Sequence, residues 1–180
     1  MKRSISRYIA YVLRHNPSSA GIELDERGWA DVNELIDGVR NTGRALDLRT
    51  LEEIVQSDGK RRFDFNADNT KIRANQGHSI KVDVEMTVCA PPDILYHGTA
   101  EKNLENIKKS GILKGNRNYV HLSKDVESAI KVGLRHGKAV ALKIDAKKMY
   151  EEGCVFLLSS NGVWQTDRVE SKYIIEEIRN

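Results

Sequence analysis

The 180-residue chain is poor in the residues that staple or stiffen small folds, with two cysteines, three prolines and 6% aromatics. Cys89 and Cys154 are too few for a disulfide framework or a cysteine-rich zinc site. Both stand among apolar neighbours, which reads as small buried hydrophobes. No apolar run reaches the roughly 18 residues that span a bilayer. The opening Met1-Lys2-Arg3-Ser4 leads into an amphipathic stretch, not the apolar core of a signal peptide. A cytoplasmic location with no membrane partner is therefore expected. The familiar catalytic signatures are missing too: no Walker phosphate loop, no GxGxxG, no HExxH and no GxSxG. No His, Cys, Asp and Glu set has metal-ligand spacing, so no metal is expected. A nucleotide enzyme built this way would have to neutralise phosphate with arginines, backbone N–H groups and helix N-termini.

What remains is a chain with 39% hydrophobic and 31% charged residues, a composition of globular and not disordered proteins. Its formal net charge of +3 is too small to identify a nucleic-acid binder. The distribution says more. Basic residues gather at Lys60-Arg61-Arg62, at Lys71 with Arg73, at Lys108, Lys109, Lys114 and Arg117, and at Arg135-His136 with Lys138. Such clusters suit a polyanionic or phosphorylated partner, although each could equally be solvated surface charge.

Periodicity divides the chain. Ile5, Tyr8, Ile9, Val12 and Leu13 share one helical face over residues 4–14, and Pro17 ends that helix. Asp31 and Glu34 form a capping-box pattern ahead of Val32, Leu35, Ile36 and Val39. A third helix is expected from about Thr50, with Leu51, Ile54 and Val55 apolar. The period then changes to alternation at Phe63 and Phe65, and the turn signal Ala67-Asp68-Asn69 precedes Lys71-Ile72-Arg73. Three helices and a hairpin over 1–75 make a winged-helix-like lobe. Residues 76–92 read as a connecting segment with a strand near 80–88. A mixed lobe spans 93–180. In it Ile94-Leu95-Tyr96 is a strand closed by His97-Gly98-Thr99, and a helix around Leu104 and Ile107 stops at Ser110-Gly111. Further strands are expected at Val120-His121-Leu122, at 140–144 with alternating half-burial, at 155–158 and at 173–178. Ser123 or Asp125 can cap the helix that ends near Gly133, and Asn161-Gly162 signals a hairpin. The fold class expected is α+β.

Several residues could carry chemistry, each with a plainer reading beside it. Arg14-His15 closes a helix, where cations are favoured in any case. Arg62 precedes Phe63, and alternation would put it on the opposite face as a solvated edge charge. His97-Gly98-Thr99 offers hydrogen-bonding groups around a glycine that would let a ligand approach, or it is a simple turn. Arg117 lies ahead of a strand carrying His121 and Ser123, and a lone strand histidine is often a satisfied core residue.

Taken in order, these residues resemble the RNA 2′-phosphotransferase family, the tRNA-splicing enzymes and their bacterial relatives. Leu13-Arg14-His15-Asn16-Pro17 carries the resemblance first. It continues through Gly28-Trp29-Ala30, Lys60-Arg61-Arg62-Phe63, Gln76-Gly77-His78-Ser79, Leu95-Tyr96-His97-Gly98-Thr99, Val120-His121-Leu122-Ser123 and Asn161-Gly162-Val163-Trp164. Each motif is weak alone, and the ordered set is specific. The resemblance implies an N-terminal winged-helix RNA lobe and a C-terminal ADP-ribosyltransferase-like NAD lobe. It implies a catalytic group of Arg14, His15, Arg62 and Arg117, with Arg61 the alternative register for the third member. It implies NAD as co-substrate, contacted by His97, Gly98, Thr99, His121 and Ser123, with Gly111 and Ile112 near the adenosine. Arg135 could reach the pyrophosphate or the RNA backbone.

The reaction so implied removes an internal RNA 2′-phosphate through an ADP-ribosylated intermediate, releasing ADP-ribose 1″,2″-cyclic phosphate. A late glutamate found in many ADP-ribosyltransferases has no counterpart near Val163-Trp164, which fits an acceptor that is already anionic. The expected partners are a tRNA-like RNA carrying a 2′-phosphate and NAD, with the chain a monomer. Two rivals remain at this level. A winged-helix DNA-binding regulator would have to use a helix carrying Glu52 and Glu53, which phosphates repel. An ADP-ribosyltransferase for other acceptors would leave ADP-ribose on its product.

Overall fold

A computed structural model describes residues 2–179, which fall into two compact units, Met1–Glu85 and Met86–Asn180.

In the first unit, helix α1 (Lys2–Arg14) buries Ile5, Ile9, Val12 and Leu13, the stripe that its spacing dictates. It stops where Asn16-Pro17 begins a short 3-10 helix, Pro17–Ala20, whose first turn is capped by the Asn16 side chain. Strand β1 (Trp29–Asp31) runs directly into α2 (Val32–Asn41). The Asp31 carboxylate accepts the N–H groups of Asn33 and Glu34, so the expected cap forms. Helix α3 (Leu48–Gln56) starts two residues ahead of Thr50, because Asp47 takes the cap position and accepts the Thr50 N–H. Strands β2 (Phe63–Phe65) and β3 (Lys71–Ala74) complete an antiparallel sheet in the order β1-β3-β2. Phe63, Ile72, Ala74 and Ala30 join the helical stripes in one apolar core.

The strand expected over 80–88 is much shorter. Only Thr87–Val88 (β4) pairs as strand, in the second unit. Ahead of it the Asp83 N–H donates to the Glu26 carbonyl, and Val82 and Val84 pack against Gly28. That segment is held by single contacts, not by a ladder.

The second unit is richer in short strands. Strand β5 (Ile94–Ala100) continues straight through His97-Gly98-Thr99, which the sequence reading placed at a strand end. These three residues pair with Leu142, Ala141 and Val140 of a distant strand. After it come α4 (Leu104–Ser110), β6 (Ile112–Leu113), β7 (Val120–Leu122) and α5 (Val126–Gly133). The Asp125 side chain caps α5. Strand β8 (Ala139–Asp145) follows, then α6 (Ala146–Glu151), β9 (Leu157–Leu158), β10 (Trp164–Thr166), β11 (Arg168–Val169) and β12 (Ile174–Arg179).

One sheet has the order β12-β8-β5, a second β4-β9-β10-β7, and β11 pairs with β6. Strand β8 is central, and Ala139, Val140, Ala141, Leu142 and Ile144 are all buried. Half-burial was expected there. Small alanines fill the face that alternation had assigned to solvent. Cys89 and Cys154 are half-buried at the margin of this unit's core, not fully inside it. Among the described residues no helix is long and apolar enough to cross a membrane.

Candidate active site

Arg14 is the last residue of α1 and His15 the first beyond it. The N–H groups of His15 and Asn16 both reach back to the Tyr11 carbonyl, at 2.9 and 3.1 Å, so the helix closes tightly at this pair. Both side chains are half-buried. The His15 ring meets the Ser79 hydroxyl at Nδ1, 2.9 Å away, and the Ser79 N–H donates to the Arg14 carbonyl at 3.0 Å. Beside Ser79, His78 is only 3% exposed, and its Nε2 is buried without a hydrogen-bond partner. Burial first, then the positive charges of Arg14, His15 and Arg73, push its pKa down to about 4. His78 is therefore a neutral imidazole at neutral pH, set among cations.

Arg62 immediately precedes β2. It is half-buried and ion-paired, which corrects the solvated edge position expected from alternation. Its guanidinium bonds the Asp58 carboxylate, and its backbone N–H donates to the same carboxylate at 2.8 Å. The Asp58 side chain is 7% exposed. Neighbouring Arg61 is exposed, has a φ of 42°, and pairs with Asp64 at 3.5 Å. The two arginines thus have different environments. The Asn75 N–H donates to the Arg62 carbonyl at 2.9 Å, and its side-chain amide donates to the Arg61 carbonyl at 2.7 Å. Residues 75–79 therefore run from the backbone of Arg61-Arg62 to that of Arg14 and the ring of His15.

In the second unit, Arg117 sits in the turn before β7, where its N–H donates to the Lys114 carbonyl at 3.2 Å. The residue is exposed overall. Its guanidinium is nonetheless crowded, and burial first, then the charge of Arg135, holds its pKa below the ordinary arginine value. Arginine stays protonated under such a shift.

His97 keeps part of its surface accessible, but its ionising nitrogens lie deep. Burial, opposed by a hydrogen bond to the His121 carbonyl and reinforced by His136, lowers its pKa. Nδ1 stands 3.1 Å from that carbonyl oxygen. A carbonyl only accepts, so Nδ1 carries the proton and Nε2 of the neutral ring is an acceptor. Ser123 joins the group through its backbone, exchanging hydrogen bonds with Tyr96 at 2.7 and 2.9 Å. His97, His121 and Ser123 are thus brought together.

The other nucleotide candidates have structural duties. A Cβ on Gly98 would overlap the Ala129 carbonyl, so this glycine lets α5 lie against β5. Thr99 is buried, and its hydroxyl accepts from Asn103 at 3.2 Å. Gly111, with φ 75°, ends α4 against the Val169 backbone, and Ile112 is buried in the core. Among the described residues no three His, Cys, Asp or Glu side chains gather as metal ligands would.

Sequence reasoning made Asp58-Gly59 a turn signal and His78-Ser79 part of a family motif, and gave none of Asp58, Asn75, His78 and Ser79 a part in the site. Asp58 stands four residues before Arg62, a spacing that could have suggested a partner. The polar run Asn-Gln-Gly-His-Ser directly after β3 was the available signal for the rest.

Residues 1–168 match the model of the family described as "RNA 2'-phosphotransferase, Tpt1 / KptA family". The chain belongs to the RNA 2′-phosphotransferase family. It is 49% identical over 172 residues to a probable RNA 2'-phosphotransferase of Flavobacterium johnsoniae, covering 96% of this chain and 94% of that protein. A probable RNA 2'-phosphotransferase of Fusobacterium nucleatum is 50% identical over 171 residues, with 94% and 96% covered. A third, from Burkholderia pseudomallei, is 47% identical over 169 residues, covering 94% of this chain and 92% of that protein. Each family motif read from the sequence falls within the matched span.

Proposed function

We propose that this family member is an NAD-dependent RNA 2′-phosphotransferase that works through an ADP-ribosylated phosphate. On this reading the first unit is a winged-helix RNA lobe and the second an ADP-ribosyltransferase-like NAD lobe. The three helices and β1-β3-β2 sheet of the one, and the paired small sheets of the other, support it. The observation that carries the reading is the gathering of Arg14, His15 and the Asp58-held Arg62 on one polar segment, in a chain of this family.

Arg14, His15 and Arg62 bind and orient the 2′-phosphate. A guanidinium fork suits this because it is planar, permanently charged and able to bind phosphate bidentately. NAD supplies an anomeric carbon with nicotinamide as leaving group. His97 supports its binding: a neutral imidazole presenting an acceptor nitrogen fits a sugar hydroxyl. A phosphate oxygen forms a bond to that carbon as the bond to nicotinamide breaks. The ribose 2″-hydroxyl then attacks phosphorus, the bond to the RNA 2′-oxygen breaks, and that oxygen takes up a proton. His15 serves this second step as phosphate ligand or proton donor, while the arginines stabilise the transferring phosphoryl group.

The test is incubation with NAD and a short RNA bearing one internal 2′-phosphate. RNA with a free 2′-hydroxyl and ADP-ribose cyclic phosphate are expected. Arg62→Ala is expected to accumulate the ADP-ribosylated RNA. Unchanged RNA and intact NAD with the parent protein would overturn the reading.

A further inference from the structure

We propose that the segment 75–79 is the positioning frame of the phosphate-binding residues, with Ser79 fixing which ring nitrogen His15 offers to the substrate. This rests on the reading of Arg14, His15 and Arg62 as phosphate-binding groups and adds a residue to it.

The frame has two anchored ends. At one, Asn75 satisfies two carbonyls, those of Arg61 and Arg62, and so sets the entry into β2. At the other, the Ser79 N–H takes the Arg14 carbonyl, one of the acceptors a helix end leaves over. The same residue meets His15 at Nδ1 through its hydroxyl. A hydroxyl can donate to an unprotonated Nδ1 and accept from a protonated one. It therefore holds the ring in one orientation in either charge state. With Nδ1 engaged, Nε2 is the nitrogen through which His15 acts on phosphate, and when Ser79 donates, Nε2 carries the proton. Between the anchors His78 is buried and neutral, so the frame adds no charge of its own beside Arg14 and His15.

Ser79 is exposed, and its hydroxyl bond lies at the surface, so its loss should leave the fold intact. That separates positioning from stability. The experiment compares parent protein, Ser79→Ala, Ser79→Thr and His15→Ala. It measures the kcat and KM for the 2′-phosphorylated RNA, and the long-range ¹H–¹⁵N spectrum of the His15 ring. Ser79→Ala should keep its unfolding transition and its KM. Its kcat should fall about 10-fold, less than the roughly 10²–10⁴-fold that acid–base catalysis contributes. Its His15 Nδ1, left without the hydroxyl partner, should shift away from the parental value. Ser79→Thr, which keeps a hydroxyl, should restore both.

A Ser79→Ala protein with parental kcat and unchanged ring-nitrogen shifts would overturn the proposal while leaving a dead His15→Ala in accord with the functional reading. A His15→Ala protein with parental kcat would instead overturn the role of His15, and the proposal with it.

Discussion

Two side chains in the first unit convert placement into measurable energy. Asp58 accepts from both the backbone and the guanidinium of Arg62 while nearly buried itself. Asp58→Ala leaves a half-buried guanidinium without that partner, so urea denaturation should show a loss of about 2 kcal/mol. Phosphotransfer should fall as well, because Arg62 loses its fixed orientation. His78 makes a pH prediction. Its folded pKa lies near 4 and the ordinary value is 6.5, so the unfolded chain takes up the proton first. The stability it contributes is complete above pH 6.5 and is lost as pH falls from there toward 4. The difference amounts to about 3 kcal/mol for a shift from 6.5 to about 4. His97 shifts in the same direction, so the measurement is the difference between parent and His78→Gln stability curves. The parent should lose more stability than the variant over that window. Parallel curves would mean that His78 is not the group responsible.

At the level of elements, β5, β8 and α5 form the scaffold on which His97 is carried. Gly98 is the contact point, since a Cβ there would run into the Ala129 backbone of α5. Backbone cannot rotate away as a side chain can. Gly98→Ala should therefore cost about 3 kcal/mol, the upper part of the usual overpacking range, in a denaturant titration. The helices of the first unit were legible in the sequence, because a 3.6-residue apolar period and the Asp31 cap are local signals, although the Asp47 cap that starts α3 earlier was missed. The strands of the second unit were less so. His97-Gly98-Thr99 looked like a strand end because its reason to stay extended lies in Val140, Ala141 and Leu142, more than 40 positions away. The double-sided burial of β8 was hidden by its alanines. Within the candidate site, Arg14 and His15 could be read from local sequence and family pattern. For Asp58 and Ser79 the sequence offered only a four-residue spacing and a polar run, since the contacts themselves depend on a turn and a strap that the folded chain brings together.

For the molecule as a whole, a formal net charge of +3 is too weak to draw RNA from a distance. Affinity for a 2′-phosphorylated RNA should come from a few fixed cations, and its salt dependence should count them. For single-stranded nucleic acid the logarithm of the binding constant falls with the logarithm of salt with a slope of about −0.7 per phosphate neutralised. Removing one phosphate-binding arginine should make that slope shallower by about 0.7. Arg62→Ala, measured by fluorescence anisotropy without NAD, should show this change. Arg62→Lys should keep the parental slope, because it keeps the charge. It should still lose rate, since an ammonium cannot reproduce the planar two-point grip on phosphate or the double hold of Asp58. A slope unchanged in Arg62→Ala would remove Arg62 from the phosphate-binding set and leave its ion pair with Asp58 as its whole role.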